Sequence, residues 1–236
     1  MTKENFLFAI IGLFAGCIIG FMFANSINQN AMQNMNPAMN PAIDPNAQMP
    51  PGHPDIGSGN SGGGMQSQVQ AAIDKAKAEP ENFEAQIKAA EVFYQIQRFD
   101  GAIEYLKQAN KIKPDDYETI VNLGNTNFDT GNYTEAEKWY SSALAKKADD
   151  ADVRTDLGLT FMFRSPPDYE RAIQEFNRSL ETDPNHVQAL QNLTVAYTRK
   201  GDAEKASATL GRLETADAKN TSLTKLREDI QKLNSK

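Results

Sequence analysis

The chain has 236 residues, with 24 Lys and Arg against 31 Asp and Glu, for a net charge of −7. That balance leaves no cationic surplus to neutralise phosphates, which argues against a nucleic-acid binder. A single cysteine, Cys17, excludes an intrachain disulfide.

After a short tail (1–5), residues 6–24 read FLFAIIGLFAGCIIGFMFA and carry no charge. As a helix this run would extend about 28 Å, close to the hydrocarbon thickness of a bilayer. It predicts a transmembrane anchor. Lys3 is offset by Glu4, and Met22-Phe23-Ala24 is a poor cleavage site, so an uncleaved anchor is expected rather than a signal peptide. Phe14-Ala15-Gly16-Cys17 resembles the lipobox of bacterial lipoproteins, which leaves lipidation at Cys17 as an alternative. Gly12, Gly16 and Gly20 fall on one helical face and would let a second helix approach, giving a homo-oligomer. Lys3 and the N-terminal amine precede the run and no Lys or Arg follows until Lys75. The positive-inside rule then places the N-terminus in the cytoplasm and the rest in the periplasm, or outside the cytoplasm, of a bacterial cell.

Residues 25–65 are rich in Asn, Met, Pro and Gly and lack apolar periodicity. Such a stretch cannot bury enough surface to fold and reads as a disordered linker. Met32, Met35, Met39, Met49 and His53 are too irregularly spaced for a soft-metal site, and no metal is expected.

Residues 66–82 begin with an amphipathic stretch (Val69, Ala72, Ile73, Ala76) that predicts a leading helix ending before Pro80. A recurrent pattern follows. Leu123-Gly124, Gly131, Tyr133, Ala136, Tyr140 and Ala143-Leu144 return as Leu157-Gly158, Tyr169, Ala172, Phe176 and Leu180, and again as Leu193, Tyr197, Gly201, Ala206 and Leu210. A more degenerate copy carries Ala89-Ala90, Phe93, Phe99, Ala102 and Leu106. The copies span 83–116, 117–150, 151–186 and 187–220, a period of about 34 residues with Ser165-Pro166-Pro167 holding the extra residues of the third. Residues 221–236 predict a closing amphipathic helix through Leu223, Leu226, Ile230 and Leu233.

This pattern resembles the tetratricopeptide repeat. The resemblance implies an all-α solenoid of about four helix–turn–helix repeats, closed at both ends by capping helices. Small residues sit where paired helices approach, large ones fill the remaining space, and stacking of neighbours closes the core. Pro114 and Pro184 stop one helix, and the acidic or Asn residue that follows is expected to cap the next.

The resemblance also implies a concave groove on the first helices that receives a peptide or helix of a protein partner. Asn122 and Asn192, just before the Leu-Gly pair or its equivalent, offer an amide donor and acceptor to a peptide backbone. Lys88 and Asp156 hold the same position in the first and third copies, Asn125 and Leu159 follow one turn on, and Tyr94, Phe128, Met162 and Phe163 another. Lys88 stands alone and Asp156 would repel a carboxylate, so the groove is not expected to clamp a C-terminus. A neutral or mildly basic segment fits better. No catalytic constellation, P-loop or metal-ligand spacing occurs, so neither an enzyme nor a cofactor is expected. The whole predicts a membrane-tethered binding scaffold in cell-envelope assembly or maturation. The alternatives are a self-assembling structural protein without a client and a lipid-anchored form of the same array.

Overall fold

In the computed structural model, the described residues are 61–235. They form ten helices: α1 (Ser61–Ala78), α2 (Phe83–Gln95), α3 (Phe99–Ile112), α4 (Tyr117–Asp129), α5 (Tyr133–Lys146), α6 (Ala151–Phe163), α7 (Tyr169–Thr182), α8 (Val187–Lys200), α9 (Ala203–Ala216) and α10 (Leu223–Asn234). No strand occurs among the described residues. The expected anchor at 6–24, its Gly12, Gly16 and Gly20 face, Cys17 and most of the linker lie outside them. None of the described helices is long and apolar enough to cross a membrane.

The four helix pairs α2–α3, α4–α5, α6–α7 and α8–α9 stack in chain order, each second helix also packing on the first helix of the next pair. The helix expected from residue 66 starts at Ser61 and takes in five residues that composition assigned to the linker. Glycine lowers helix propensity without forbidding helical dihedrals, and no proline stands between Pro54 and Pro80. Gln86 fixes the other end of α1. Its side-chain Nε2, buried under the helix, donates to the carbonyls of Ala76, Glu79 and Pro80 at 2.9, 3.3 and 3.3 Å. These carbonyls lie at or just past the end of α1, where the helix has no N–H of its own to satisfy them.

Each first helix is started by a side-chain cap. Asn82, Asp116 and Asp150 accept from the backbone N–H three residues on, at 3.2, 2.9 and 2.9 Å. In the fourth copy the cap is His186, not the Asn185 that its composition suggests: His186 Nδ1 accepts from Ala189 N at 3.1 Å, while Asn185 N donates to Asp183. An accepting Nδ1 leaves Nε2 to carry the proton, and Nε2 lies 2.8 Å from Asp152 Oδ1 at the start of α6.

The turn inside three of the four pairs uses one left-handed residue. Gly131 (φ 75°) and Gly201 (φ 80°) supply it in the second and fourth copies, and Gln97 (φ 58°) occupies the same place in the first. The third copy replaces this residue by Ser165-Pro166-Pro167, beginning with a cis peptide bond at Pro166.

Helix pairs close on small residues. A Cβ at Gly124 would fall 2.6 Å from the Tyr140 ring, and one at Gly158 would fall 2.5 Å from the Phe176 ring. At the matching places of the other copies, Ala90 stands opposite Leu106, and Thr194 is matched by Leu210. Where the first helix gives up its side chain the second carries an aromatic ring, and where it keeps one the second carries leucine. Volume is thus held nearly constant along the core.

Polar links tie repeat to repeat. Arg171 reaches Glu137 at 2.8 Å, and Tyr117 donates to Asp150 at 2.6 Å. In the third copy Glu175, 11% exposed, lies between Arg154 and Arg178 at 3.0 Å each.

Candidate functional site

The first helices α4, α6 and α8 lie side by side, α4 touching α6 and α6 touching α8. The half-exposed residues that these helices leave uncovered by their second helices make the candidate binding face.

Asn122 on α4 and Asn192 on α8 are half-buried, and neither side chain makes a hydrogen bond among the described residues. Other asparagines of the array are engaged: Asn127 donates to the Leu123 carbonyl at 2.7 Å and Asn177 to that of Ile173 at 2.9 Å. The two free amides are therefore not needed by the fold's own hydrogen-bond network. Asn125, the third amide expected on this face, accepts from the Tyr140 hydroxyl at 2.9 Å. It satisfies a buried phenol whose pKa burial pushes well up.

Lys88 is exposed and its ammonium lies 3.1 Å from Glu91, so it brings no free positive charge to the face. Phe128 was expected among the contact residues. It is only 7% exposed, packed edge-on against Tyr133 and Phe163, and supports the face from behind. An aromatic ring next to the inter-helix turn removes more apolar area by turning inward than it would on an open surface. Leu159, Met162 and Phe163 on α6 remain half-exposed.

Asp156 is half-buried on α6. Its carboxyl is pushed up to about 8, first by desolvation and then by the like charges of Asp152, Asp150 and Asp129. Asp129, at the end of α4, is pushed up to about 6 by burial, against the hydrogen bond donated by the Tyr94 hydroxyl of α2, which acts in the opposite direction. Burial and the adjacent Asp129 together raise Tyr94 far above the ordinary phenol range. Asp152 is lowered, chiefly by its hydrogen bond with His186. A run of carboxyls thus crosses from the second repeat to the third.

Asp129 and Asp152 escaped the sequence reading. Each is one acid among many at ordinary helix-surface spacing; Asp152 stands one turn before Asp156 on α6, and only the stacking of α4 on α6 brings Asp129 towards them. A shallow recess by the third-repeat turn is lined by Arg164, Pro166, Pro167, Tyr169 and Lys200, but Arg164 is held by Asp168 and Glu137, and Lys200 by Glu170. Among the described residues no group of His, Cys, Asp or Glu could hold a metal ion.

Stacked helix pairs with free polar groups along the inner first helices define a helical-repeat interaction module. A tetratricopeptide repeat model matches residues 97–155 and 168–230, and a second such model matches 66–117. The chain belongs to the tetratricopeptide repeat family. Over 87 residues it is 37% identical to the photosystem I assembly protein Ycf3 of Acaryochloris marina (strain MBIC 11017), covering 36% of this chain and 51% of that protein. Over 111 residues it is 27% identical to the TPR repeat-containing thioredoxin TTL4 of Arabidopsis thaliana, covering 47% of this chain and 16% of that protein. The chain therefore spans about half the length of the first relative and far less of the second. Among solved structures it is similar to the MamA protein, with a TM-score of 0.60 and 25% identity over 66% of this chain and 85% of that one. It also shares its fold with YrrB at a TM-score of 0.60 and 16% identity, over 72% of this chain and 86% of that one.

Proposed function

We propose that the array is a scaffold that receives a segment of a partner protein on its concave face, and that residues 6–24 hold it at a membrane. The observation that carries the reading is the pair of half-buried, unbonded amides Asn122 and Asn192 at the same place in two repeats. A half-exposed amide that the fold does not use is open to a ligand, and a peptide backbone offers both a donor and an acceptor to match it. Two such amides on inner helices that flank α6 suit an extended chain running across three repeats. The similarity to a photosystem I assembly protein supports a role in assembling other proteins, in this reading at the cell envelope. The uncharged run 6–24 supports single-pass anchoring, with the array on the periplasmic or extracytoplasmic side. A tether of about 40 residues would hold the array roughly 35 Å from the bilayer on average, raising the local concentration of a captured segment. The scaffold carries out no chemistry of its own.

Crosslinked affinity capture from native membranes tests this reading, comparing the wild type with an Asn122→Ala, Asn192→Ala variant of unchanged helical circular dichroism. Capture of a small set of proteins that the variant loses supports the groove. Persistence of the same set in the variant moves binding elsewhere. Recovery of the chain alone in both favours self-assembly through Gly12, Gly16 and Gly20, which Gly16→Ile would then abolish.

A further inference from the structure

The inner face carries a carboxyl that the described chain does not pair. Elsewhere the partly buried carboxylates have partners: Glu137 has Arg171, Glu175 has Arg154, and Asp129 accepts from Tyr94. Asp156 has neither an ion pair nor a hydrogen bond among the described residues, and its side chain faces only like charges. These are Asp152 one turn earlier on α6, Asp150 at the start of α6, and Asp129 on α4. The only cation at the equivalent position, Lys88, is taken by Glu91. One turn beyond Asp156, Leu159 and then Met162 leave half-exposed apolar surface on the same helix.

We propose that the segment bound on this face is basic: a lysine or arginine of the partner seats between Asp129 and Asp156, and an apolar neighbour lies against Leu159 and Met162. The proposal rests on the groove reading given above and names its occupant. An ammonium or guanidinium supplies the opposite charge and the N–H donors that Asp156 lacks, and charge-assisted hydrogen bonds in a partly desolvated place are the strong ones. The same charges disfavour a C-terminal carboxylate, an acidic peptide or a phosphopeptide. The free amides on either side of Asp156 in the stack, Asn122 and Asn192, would hold the backbone while the acidic seat selects the side chain.

The test is selection from a random dodecapeptide phage library on the purified full chain. The same selection is run on Asp129→Asn, Asp156→Asn and on a control, Asp149→Asn, Glu181→Gln, which removes the same number of carboxyls from exposed positions. The expected result is a several-fold enrichment of Lys or Arg at one peptide position, kept by the control and lost by the first variant at unchanged circular dichroism. Enrichment that is equal in all three proteins reflects net charge alone and overturns the seat. Peptides without basic enrichment, lost on Asn122→Ala, Asn192→Ala, overturn the basic occupant and leave the groove standing. Failure of the wild type to select any peptide overturns both.

Discussion

Gly124 lies flat against the ring of Tyr140: a methyl group added at this glycine would sit 2.6 Å from the ring carbons. Tyr140 is fully buried and its hydroxyl is held by Asn125, so the ring has no room to retreat. Gly124→Ala is therefore expected to destabilise the array by about 1–3 kcal/mol through overpacking. The first copy solves the same contact with Ala90 and Leu106. Adding Tyr140→Leu to Gly124→Ala should thus cost less than the two single changes together, a favourable coupling that a double-mutant cycle in urea would read. Additive losses would show that the two residues do not share one volume.

At Gln97 the first repeat places a side chain in the left-handed backbone region that Gly131 and Gly201 fill in the second and fourth. The left-handed conformation costs a non-glycine residue roughly 1–2 kcal/mol, part of which the extra freedom of a glycine in the unfolded chain cancels. Gln97→Gly is expected to stabilise the protein by about 0.5–1 kcal/mol in chemical denaturation. Gly131→Gln, the reverse change, should destabilise by a similar amount.

Asp156 makes stability fall as pH rises. Its carboxyl titrates near 8 in the folded protein against 3.8 ordinarily, so between those values the folded state keeps a proton that the unfolded state has released. With more protons on the folded side, the slope of stability against pH is negative through this window and flattens above it. Asp129, raised to about 6, acts in the same direction. Asp156→Asn should match the wild type near pH 4 and exceed it at pH 8.5 by about 1 kcal/mol or more, a rise in Tm of roughly 2–4 °C. Thermal unfolding at the two pH values decides this, and parallel pH profiles for the two proteins would count against a strained carboxyl.

If Asp156 is the seat of a basic side chain, binding must ionise it. Affinity for a lysine-bearing peptide then rises between pH 6 and pH 9, and one proton is released per peptide bound near neutrality. The groups facing this carboxyl are Asp152 on α6 and Asp150 at its cap, with His186 bonded to Asp152, Asp129 on α4, with Tyr94 bonded to it, and Tyr140 on α5. Calorimetry in two buffers of different ionisation enthalpy measures the proton count. A count of zero would mean that the peptide sits elsewhere.

Gln86 joins α1 to the repeats through three carbonyl contacts from one amide. Gln86→Leu keeps the volume and removes the donors, leaving the buried Ala76 carbonyl, which Pro80 has no N–H to serve, unpaired at a cost of about 1–3 kcal/mol. The loss should appear first as faster amide exchange across Ser61–Ala78, with the exchange of α4 to α9 unchanged, because stacked repeats couple mainly to their neighbours.

Much of the architecture was written locally. Tyr140 and Phe176, placed opposite Gly124 and Gly158, are readable as a pair because a helix brings fixed spacings to fixed faces. The caps Asp116 and Asp150 are equally local, since a cap and its N–H are three residues apart. His186 shows the limit of that reasoning. Its ring caps α8 only because Nε2 is occupied by Asp152, a residue 34 positions earlier, and no local rule reports that pairing.

The candidate face divides in the same way. The period of the repeat singled out Asn122, Asn192, Lys88 and Asp156 as equivalent positions. Which of them are free, which are already engaged, and that Phe128 turns inward depended on neighbours from other repeats. Sequence alone determined the helix pairs, their turns and their close-packed seams, because those rest on interactions within about 20 residues. Only the stacking decided where charge is left unanswered. Electrostatic energy at a half-buried carboxyl depends on the distance to every other charge and on the water excluded around it, and both are set by elements far apart in the chain.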